Sequence, residues 1–169
     1  VRFLEAVAGQ LALAIGRAEL FMRVSRLAYE DPLTGLANRR ALEERLERSA
    51  IRASERGGAV AVLVCDVDEL KAINDAAGHA AGDRALRRVG EALVAAAASR
   101  PGSLVGRLAG DEFCVVMDGA SLADVRSVAA DTMRALSSAP GENILVSCGA
   151  AALGPSVDTP ALLLRAADA

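Results

Sequence analysis

The sequence has no tryptophan, three phenylalanines and one tyrosine among its 169 residues, and it carries a single lysine and a single histidine. A core made from it must therefore be assembled from small and aliphatic side chains, chiefly drawn from 37 alanines and the Leu, Val and Ile residues. Cysteine is sparse as well. Cys65, Cys114 and Cys148 are far apart, each inside an apolar run; the odd count and the absence of any C-x-x-C exclude a disulfide framework. They read as buried small hydrophobes in a reducing cytoplasm. No apolar run approaches the roughly 18 residues that a membrane span needs, and no signal peptide is visible, so a cytoplasmic location without direct membrane contact is expected. Basic residues do not outnumber acidic ones (19 against 22, net charge −3), which removes the electrostatic footprint of a nucleic-acid polymer binder. There is no G-x-x-x-x-G-K-[ST] phosphate loop. The Asp66-Val67-Asp68 run is not a calcium loop, because Leu70 and Ala72 stand where that loop needs ligands.

What is present suits one domain with a sizeable core: 53% of residues are hydrophobic and 24% charged. Residues 1–30 read as one long helix. Leu4, Val7, Leu11, Ala14, Ala18, Phe21, Ser25 and Ala28 repeat at alternating spacings of three and four, the period of a coiled-coil seam, so a homodimer through this helix is expected. The alternative is a helix packed on its own domain. The pattern starts without a cap, as the end of an upstream domain would. Asp31-Pro32 closes the helix and marks the joint to a globule spanning residues 31–169. Asn38 is placed to cap a helix running to about Arg56. The run from Ala59 to Cys65 predicts a strand covered on both faces, leading directly into Asp66. A short helix ending at Gly78 follows, then a helix capped by Asp83 with Leu86, Val89 and Leu93 inward. Strands Leu104–Leu108 and Phe113–Met117 form a hairpin through Ala109-Gly110-Asp111-Glu112. A helix from about Leu122 to Leu136, a strand Ile144–Ala150 and a helix beginning near Pro160 complete the chain. Strands split by helices around one hairpin predict an α/β sandwich of the ferredoxin-like kind, its sheet containing antiparallel pairs.

The chemistry is expected at the carboxyl end of the first strand. Asp66 ends that strand, and Asp111 and Glu112 sit in the hairpin turn; if the hairpin lies beside the strand, three or four carboxylates crowd together. Like charges that close need a cation or a raised pKa, and oxygen ligands combined with substrate phosphates select Mg²⁺. The alternatives are a helix-capping Asp66 and a merely polar turn. Asp83 could be a helix cap, Asn74 a helix-end residue, Lys71 either a phosphate contact or a solvated side chain, and His79 a structural hydrogen-bonding group.

Three stretches together carry a resemblance. Asp31-Pro-Leu-Thr-Gly-Leu-Ala-Asn38-Arg-Arg40 is followed by Asp66-Val-Asp68-x-x-Lys71-x-x-Asn74-Asp75-x-x-Gly78-His79-x-x-Gly82-Asp83, and then by Arg107-Leu-Ala-Gly110-Asp-Glu-Phe113. With Ser147-Cys-Gly149-Ala150 they resemble the GGDEF family of diguanylate cyclases over residues 28–169; Phe3–Ile15 is similar to the last helix of a GAF sensor domain. The resemblance implies a nucleotidyl-cyclase palm that condenses two GTP into cyclic di-GMP and pyrophosphate, each protomer of a dimer holding one GTP. It implies Mg²⁺ (two per GTP site, Mn²⁺ as a substitute) on Asp66, the Val67 carbonyl and Asp111, with Asp111 and Glu112 catalytic. Asn74 and Asp83 would read the guanine edge, Lys71 would touch phosphate, and Gly110 would admit the nucleotide close to the backbone. Three departures stand out. Ala109 replaces the first glycine of the signature, which reduces activity if that position needs a positive φ. The family's inhibitory Arg-x-x-Asp is here Arg100-Pro-Gly-Ser103, which implies weak product feedback. The chain stops at Ala167-Asp168-Ala169, before a Lys and an Arg that bind GTP phosphates in the family. The competing readings are a GTP-binding domain without turnover and a dimerisation module.

Overall fold

The structure, a computed structural model, describes residues 2–138 and 144–153. Helix α1 (Arg2–Tyr29) is followed by α2 (Arg39–Arg56), β1 (Val60–Val67), α3 (Leu70–Ala77), α4 (His79–Ala97), β2 (Leu104–Ala109), β3 (Glu112–Asp118), α5 (Leu122–Ser137) and β4 (Val146–Leu153). The strands form one sheet in the order β2-β3-β1-β4, and every neighbouring pair is antiparallel. This is the α/β sandwich expected from the element order. The helix expected near Pro160 lies outside the described residues.

β1 is buried on both faces because the strand period of two sends its side chains alternately into two cores. Ala61, Leu63, Cys65 and Val67 join Phe113, Val115 and Met117 against α4 and α5, where Leu86, Val89, Leu93, Val125 and Val128 are buried. Val60, Val62 and Val64 join Cys114 and Val116 against Leu42 and Leu46 of α2. Arg45 and Arg52 pin α2 further, both guanidinium groups lying 2.8 Å from Asp118 at the end of β3.

Local signals account for most boundaries. The Asn38 side chain accepts from the Ala41 N–H at 3.1 Å, capping α2 as expected, and its Nδ2 also donates to the Ala28 carbonyl at 3.0 Å, so one residue closes α1 and opens α2. Gly57, at φ 66°, ends α2 in the left-handed turn that glycine adopts without strain. Ser121 and Asp124 form a reciprocal capping box at the start of α5. One expected cap is corrected: α4 begins at His79 with Gly78 before it, so Asp83 lies inside the helix and caps nothing. His79 is the exposed first residue of α4. β4 also runs beyond the expected end at Ala150, because it pairs with the whole of β1 back to Val60.

Among the seam residues of α1 whose side chains are described, Ser25 and Ala28 are half-buried and the others are exposed. Leu11, Ala14 and Phe21 are exposed, together with Leu13, Ile15, Leu20, Val24 and Leu27. At its carboxyl end the Tyr29 hydroxyl donates to Glu44 at 3.4 Å, and the Arg40 guanidinium sits 5.2 Å from the Tyr29 ring centre.

The segment between α1 and α2 is no slack joint. Ala37 accepts from the Arg107 N–H at 2.8 Å and forms a parallel bridge with Gly106 of β2. Gly106 has to be glycine: a Cβ there would lie 2.5 Å from the Ala37 carbonyl oxygen and 2.7 Å from Leu42. Gly106→Ala should lower the chemical-denaturation midpoint by the equivalent of about 1–3 kcal/mol, the usual cost of an overpacked contact. An unchanged midpoint would mean that the segment is not clamped.

Candidate active site at the carboxyl end of the first strand

Asp66 is the penultimate residue of β1 and exposed, while its strand neighbours Cys65 and Val67 are buried. In the sheet register it stands opposite Glu112 of β3 on one side and Ser147 of β4 on the other. The Val67 N–H donates to the Asp111 carbonyl at 3.2 Å, so the hairpin turn is fastened to the end of β1. Both ends of the expected carboxylate set therefore meet at one strand terminus. The crowd of three or four carboxylates is corrected: among the described residues no three His, Cys, Asp or Glu side chains form a group that could hold a metal ion. Two carboxylates and a carbonyl that leave coordination positions open are a donor set suited to Mg²⁺, which keeps such positions for phosphate oxygens and water.

The turn itself is Gly110-Asp111, with Gly110 at φ 45°. Among the described residues the one non-glycine with positive φ is Glu69, so Ala109 takes an ordinary backbone conformation and its methyl does not strain the turn. Arg107 holds this turn. Its Nε and Nη2 donate to the Gly110 carbonyl at 2.9 and 2.6 Å, and its Nη1 donates to the Asp31 carboxylate at 3.2 Å. Asp31 also accepts from the Thr34 hydroxyl at 2.7 Å and the Thr34 N–H at 2.9 Å. Partial burial pushes the Asp31 carboxyl up, but the Thr34 hydrogen bonds and then Arg107 outweigh it and hold the group below its ordinary 3.8.

Beyond Val67 the chain turns into α3. Asp68 donates its N–H to the Leu145 carbonyl at 3.0 Å and accepts from the Ser147 hydroxyl at 2.7 Å. Glu69 follows at φ 55°, a left-handed conformation that costs a residue with a Cβ about 1–2 kcal/mol. Strain of this kind collects at functional sites. α3 then places Lys71 on the exposed surface and leaves Asn74 half-buried. Asn74 rests on α4 at Gly82, where an added Cβ would overlap Asn74 Oδ1. Gly82 immediately precedes half-buried Asp83, so the expected pair of base readers lies across the α3–α4 contact.

Arg100 and Ser103 lie elsewhere, in the connection between α4 and β2. Arg100 Nη2 is 2.6 Å from the Asp124 carboxylate at the start of α5, and the Ser103 hydroxyl donates to the Arg100 carbonyl at 2.7 Å. The three cysteines are not all separate in space. Cys65 and Cys148 stand opposite each other in β1 and β4 with their sulfurs 2.9 Å apart. The hydrogen bond between them raises the Cys65 thiol and lowers the Cys148 thiol, while burial pushes Cys114 up to about 12. Sequence reasoning gave no role to Arg107, Gly82 or Glu69. A lone arginine three residues before a turn glycine was the available signal for Arg107.

The family described as "Diguanylate cyclase, GGDEF domain" matches residues 28–169. The chain is 40% identical over 171 residues to a protein of the hutH 5' region of Streptomyces griseus, covering 99% of this chain and 70% of that one. It is 42% identical to the diguanylate cyclase TpbB of Pseudomonas aeruginosa over 83% of this chain and 34% of TpbB, and so spans about a third of that relative. The crystal structure of the coiled coil and GGDEF domain of DgcB from Caulobacter crescentus, in complex with c-di-GMP, superposes with a TM-score of 0.85 at 29% identity, covering 98% of this chain and 90% of that one.

The depressed Asp31 carboxyl carries a pH dependence. Its contribution to stability is complete above the unfolded value of 3.8 and is lost as pH falls through the lower folded value. Stability of the unmodified chain should therefore fall below about pH 4, and Asp31→Asn should remove part of that fall while costing about 1.5–3 kcal/mol at neutral pH. Denaturant titrations between pH 2.5 and 7 check both; identical pH profiles would show that Asp31 is not stabilised by its partners.

Proposed function

Because the chain belongs to the GGDEF family of diguanylate cyclases, we propose that it condenses two GTP into cyclic di-GMP, releasing pyrophosphate, at a site completed by a second copy of itself. The observation that carries this reading is the register of β1 against β3. It sets Asp66 opposite Glu112 and fastens the Asp111 carbonyl to the Val67 N–H, bringing the two motifs of the family to one strand end.

In this reading Asp66, the Val67 carbonyl and Asp111 would hold Mg²⁺, two ions per GTP, with Mn²⁺ as a substitute. Bound there, the cation would supply charge neutralisation to the phosphates and ease ionisation of the attacking 3'-hydroxyl. Asp111 accepts that proton, with Glu112 completing the catalytic pair across from Asp66. The 3'-oxygen of one nucleotide then bonds to the α-phosphorus of the other as the bond from that phosphorus to the pyrophosphate oxygen breaks, and the same displacement with the two nucleotides' roles exchanged closes the ring and releases the second pyrophosphate. Asn74 and Asp83 hold the guanine edge; a carboxylate accepting from N1–H and N2–H rejects adenine, which lacks those donors. Lys71 meets phosphate as a compact point charge. Gly110 leaves the backbone of the turn open to the nucleotide.

Each protomer supplies half of the reaction, and α1 (Arg2–Tyr29) is the dimerising element. Its exposed seam residues Leu11, Ala14 and Phe21 support this, since an apolar stripe unpacked on its own domain calls for a partner helix. No helix among the described residues is long and apolar enough to cross a membrane, and we place the reaction in the cytoplasm, beside the GTP pool. Product feedback is weak. Ser103 cannot supply the missing carboxylate, and Arg100 already faces Asp124.

Chromatography of the products after incubation with GTP and Mg²⁺ should show cyclic di-GMP, with the rate reduced at least about 100-fold in Asp111→Ala and little affected by added product. A dimeric chain that binds GTP and forms no cyclic di-GMP would replace this reading with a nucleotide-binding, non-catalytic domain. Gly82→Ala tests the base-reading pair separately. The helix gains about 1 kcal/mol of intrinsic propensity, so the fold survives, but the new methyl forces the Asn74 amide aside. GTP affinity measured by calorimetry should drop about tenfold, the equivalent of one lost buried hydrogen bond. Unchanged affinity would remove Asn74 from base recognition.

A further inference from the structure

Cys65 and Cys148 meet requirements that chance neighbours seldom meet together. They are direct partners in the antiparallel register of β1 and β4, where Cα atoms stand about 4.5–5.5 Å apart, inside the span a disulfide accepts. Their sulfurs are 2.9 Å apart without any backbone movement. Cys65 is buried in the core shared with α4 and α5, whereas Cys148, on the strand that forms the sheet edge among the described residues, is half-buried and the more accessible of the two. The third thiol cannot compete, because Cys114 lies in the core on the opposite face of the sheet, against α2.

We infer that Cys65 and Cys148 form an oxidant-reactive dithiol which a small hydroperoxide converts into an intrachain disulfide, tying β4 to β1 one residue before Asp66. The Cys148 sulfur attacks the O–O bond. An S–O bond forms, the O–O bond breaks, and the leaving oxygen departs as an alcohol, or as water from hydrogen peroxide, with the thiol's proton. The Cys65 sulfur then attacks the Cys148 sulfenic acid, forming S–S, breaking S–O and releasing water. In sum, two thiols lose two electrons and two protons, and one hydroperoxide is reduced. A small dithiol reverses the change by exchange through the half-buried Cys148 sulfur. In a reducing compartment the pair rests as thiols, so the bond marks oxidant exposure and is not part of the resting fold. The site is independent of nucleotide chemistry and stands whether or not the domain turns over GTP.

The test exposes the unmodified, folded chain to hydrogen peroxide, quenches with an alkylating reagent and maps peptides by mass spectrometry. The expected result is the loss of two hydrogens, one linked peptide containing Cys65 and Cys148, Cys114 alkylated only after unfolding, and full reversal by dithiothreitol. In Cys65→Ser the second step is blocked, so Cys148 should accumulate as a sulfenic acid that dimedone captures. Oxidation of Cys148 to the sulfinic acid in the unmodified chain without the linked peptide would overturn the proposal. A link that involves Cys114, or one that forms only in denaturant, would overturn it equally.

Discussion

The guanidinium of Arg107 between Asp31 and the Gly110 carbonyl is the contact on which the arrangement of this domain depends. One side chain reads the exit of α1 through Asp31 and the hairpin turn through Gly110, at distances of 2.6–3.2 Å. A guanidinium is suited to this, since its donors leave in a fixed fork and its charge does not titrate in the accessible range. Thr34 holds Asp31 in place from the other side. Next to this bond the segment is pressed into the domain, Leu36 against Gly90 of α4 and Ala37 against Gly106 of β2. The long helix and the carboxylate-bearing turn thus share one rigid support, while the other wall of the site, α3, hangs from β1 through the strained Glu69.

Much of this was legible in the chain. β1 could be read because an unbroken apolar run demands cover on two faces, and α2 supplies one while α4 and α5 supply the other. Asn38 was legible as a cap of α2 because Asx side chains accept from helix N–H groups. Its second role, donating to the end of α1, was not, since nothing local says which carbonyl will be near. Asp83 shows the converse. Its type suits a cap, yet α4 starts one turn earlier because Gly78, at φ 81°, makes the reversal itself. The pairing of Cys65 with Cys148 depends on strand register across 83 residues, and an odd cysteine count pointed away from it. The hairpin does lie beside the first strand, but the expected carboxylate cluster did not follow, because alternate residues of a strand face opposite sides and the turn meets β1 through its backbone.

The scarcity of aromatics has a structural counterpart. Phe113 is fully buried, and the remaining density comes from backbones that approach one another closely. α4 lies on the sheet through Ala85, Ala92 and Ala96, and glycines mark the tightest contacts: Gly82 under Asn74, Gly90 under Leu36 and Gly106 under Ala37. Close packing through small residues leaves little room for side-chain rearrangement, so a shift in one element passes directly to its neighbour. Asn74 and the segment after α1 both sit at such contacts.

The anchored carboxyl end of α1 turns length into angle. A helix advances about 1.5 Å and rotates about 100° per residue, so each residue inserted into α1 swings everything N-terminal to the insertion by that angle relative to the sheet. Seven residues restore the phase to within about 20°. Because the segment that follows α1 is pinned to β2 and α4 and so cannot absorb the twist, α1 acts as a rotary shaft. In the dimer proposed above, a twist applied to α1 would pass to the sheet as torque, and only lengths that differ by whole heptads would leave the two halves facing each other in the same way.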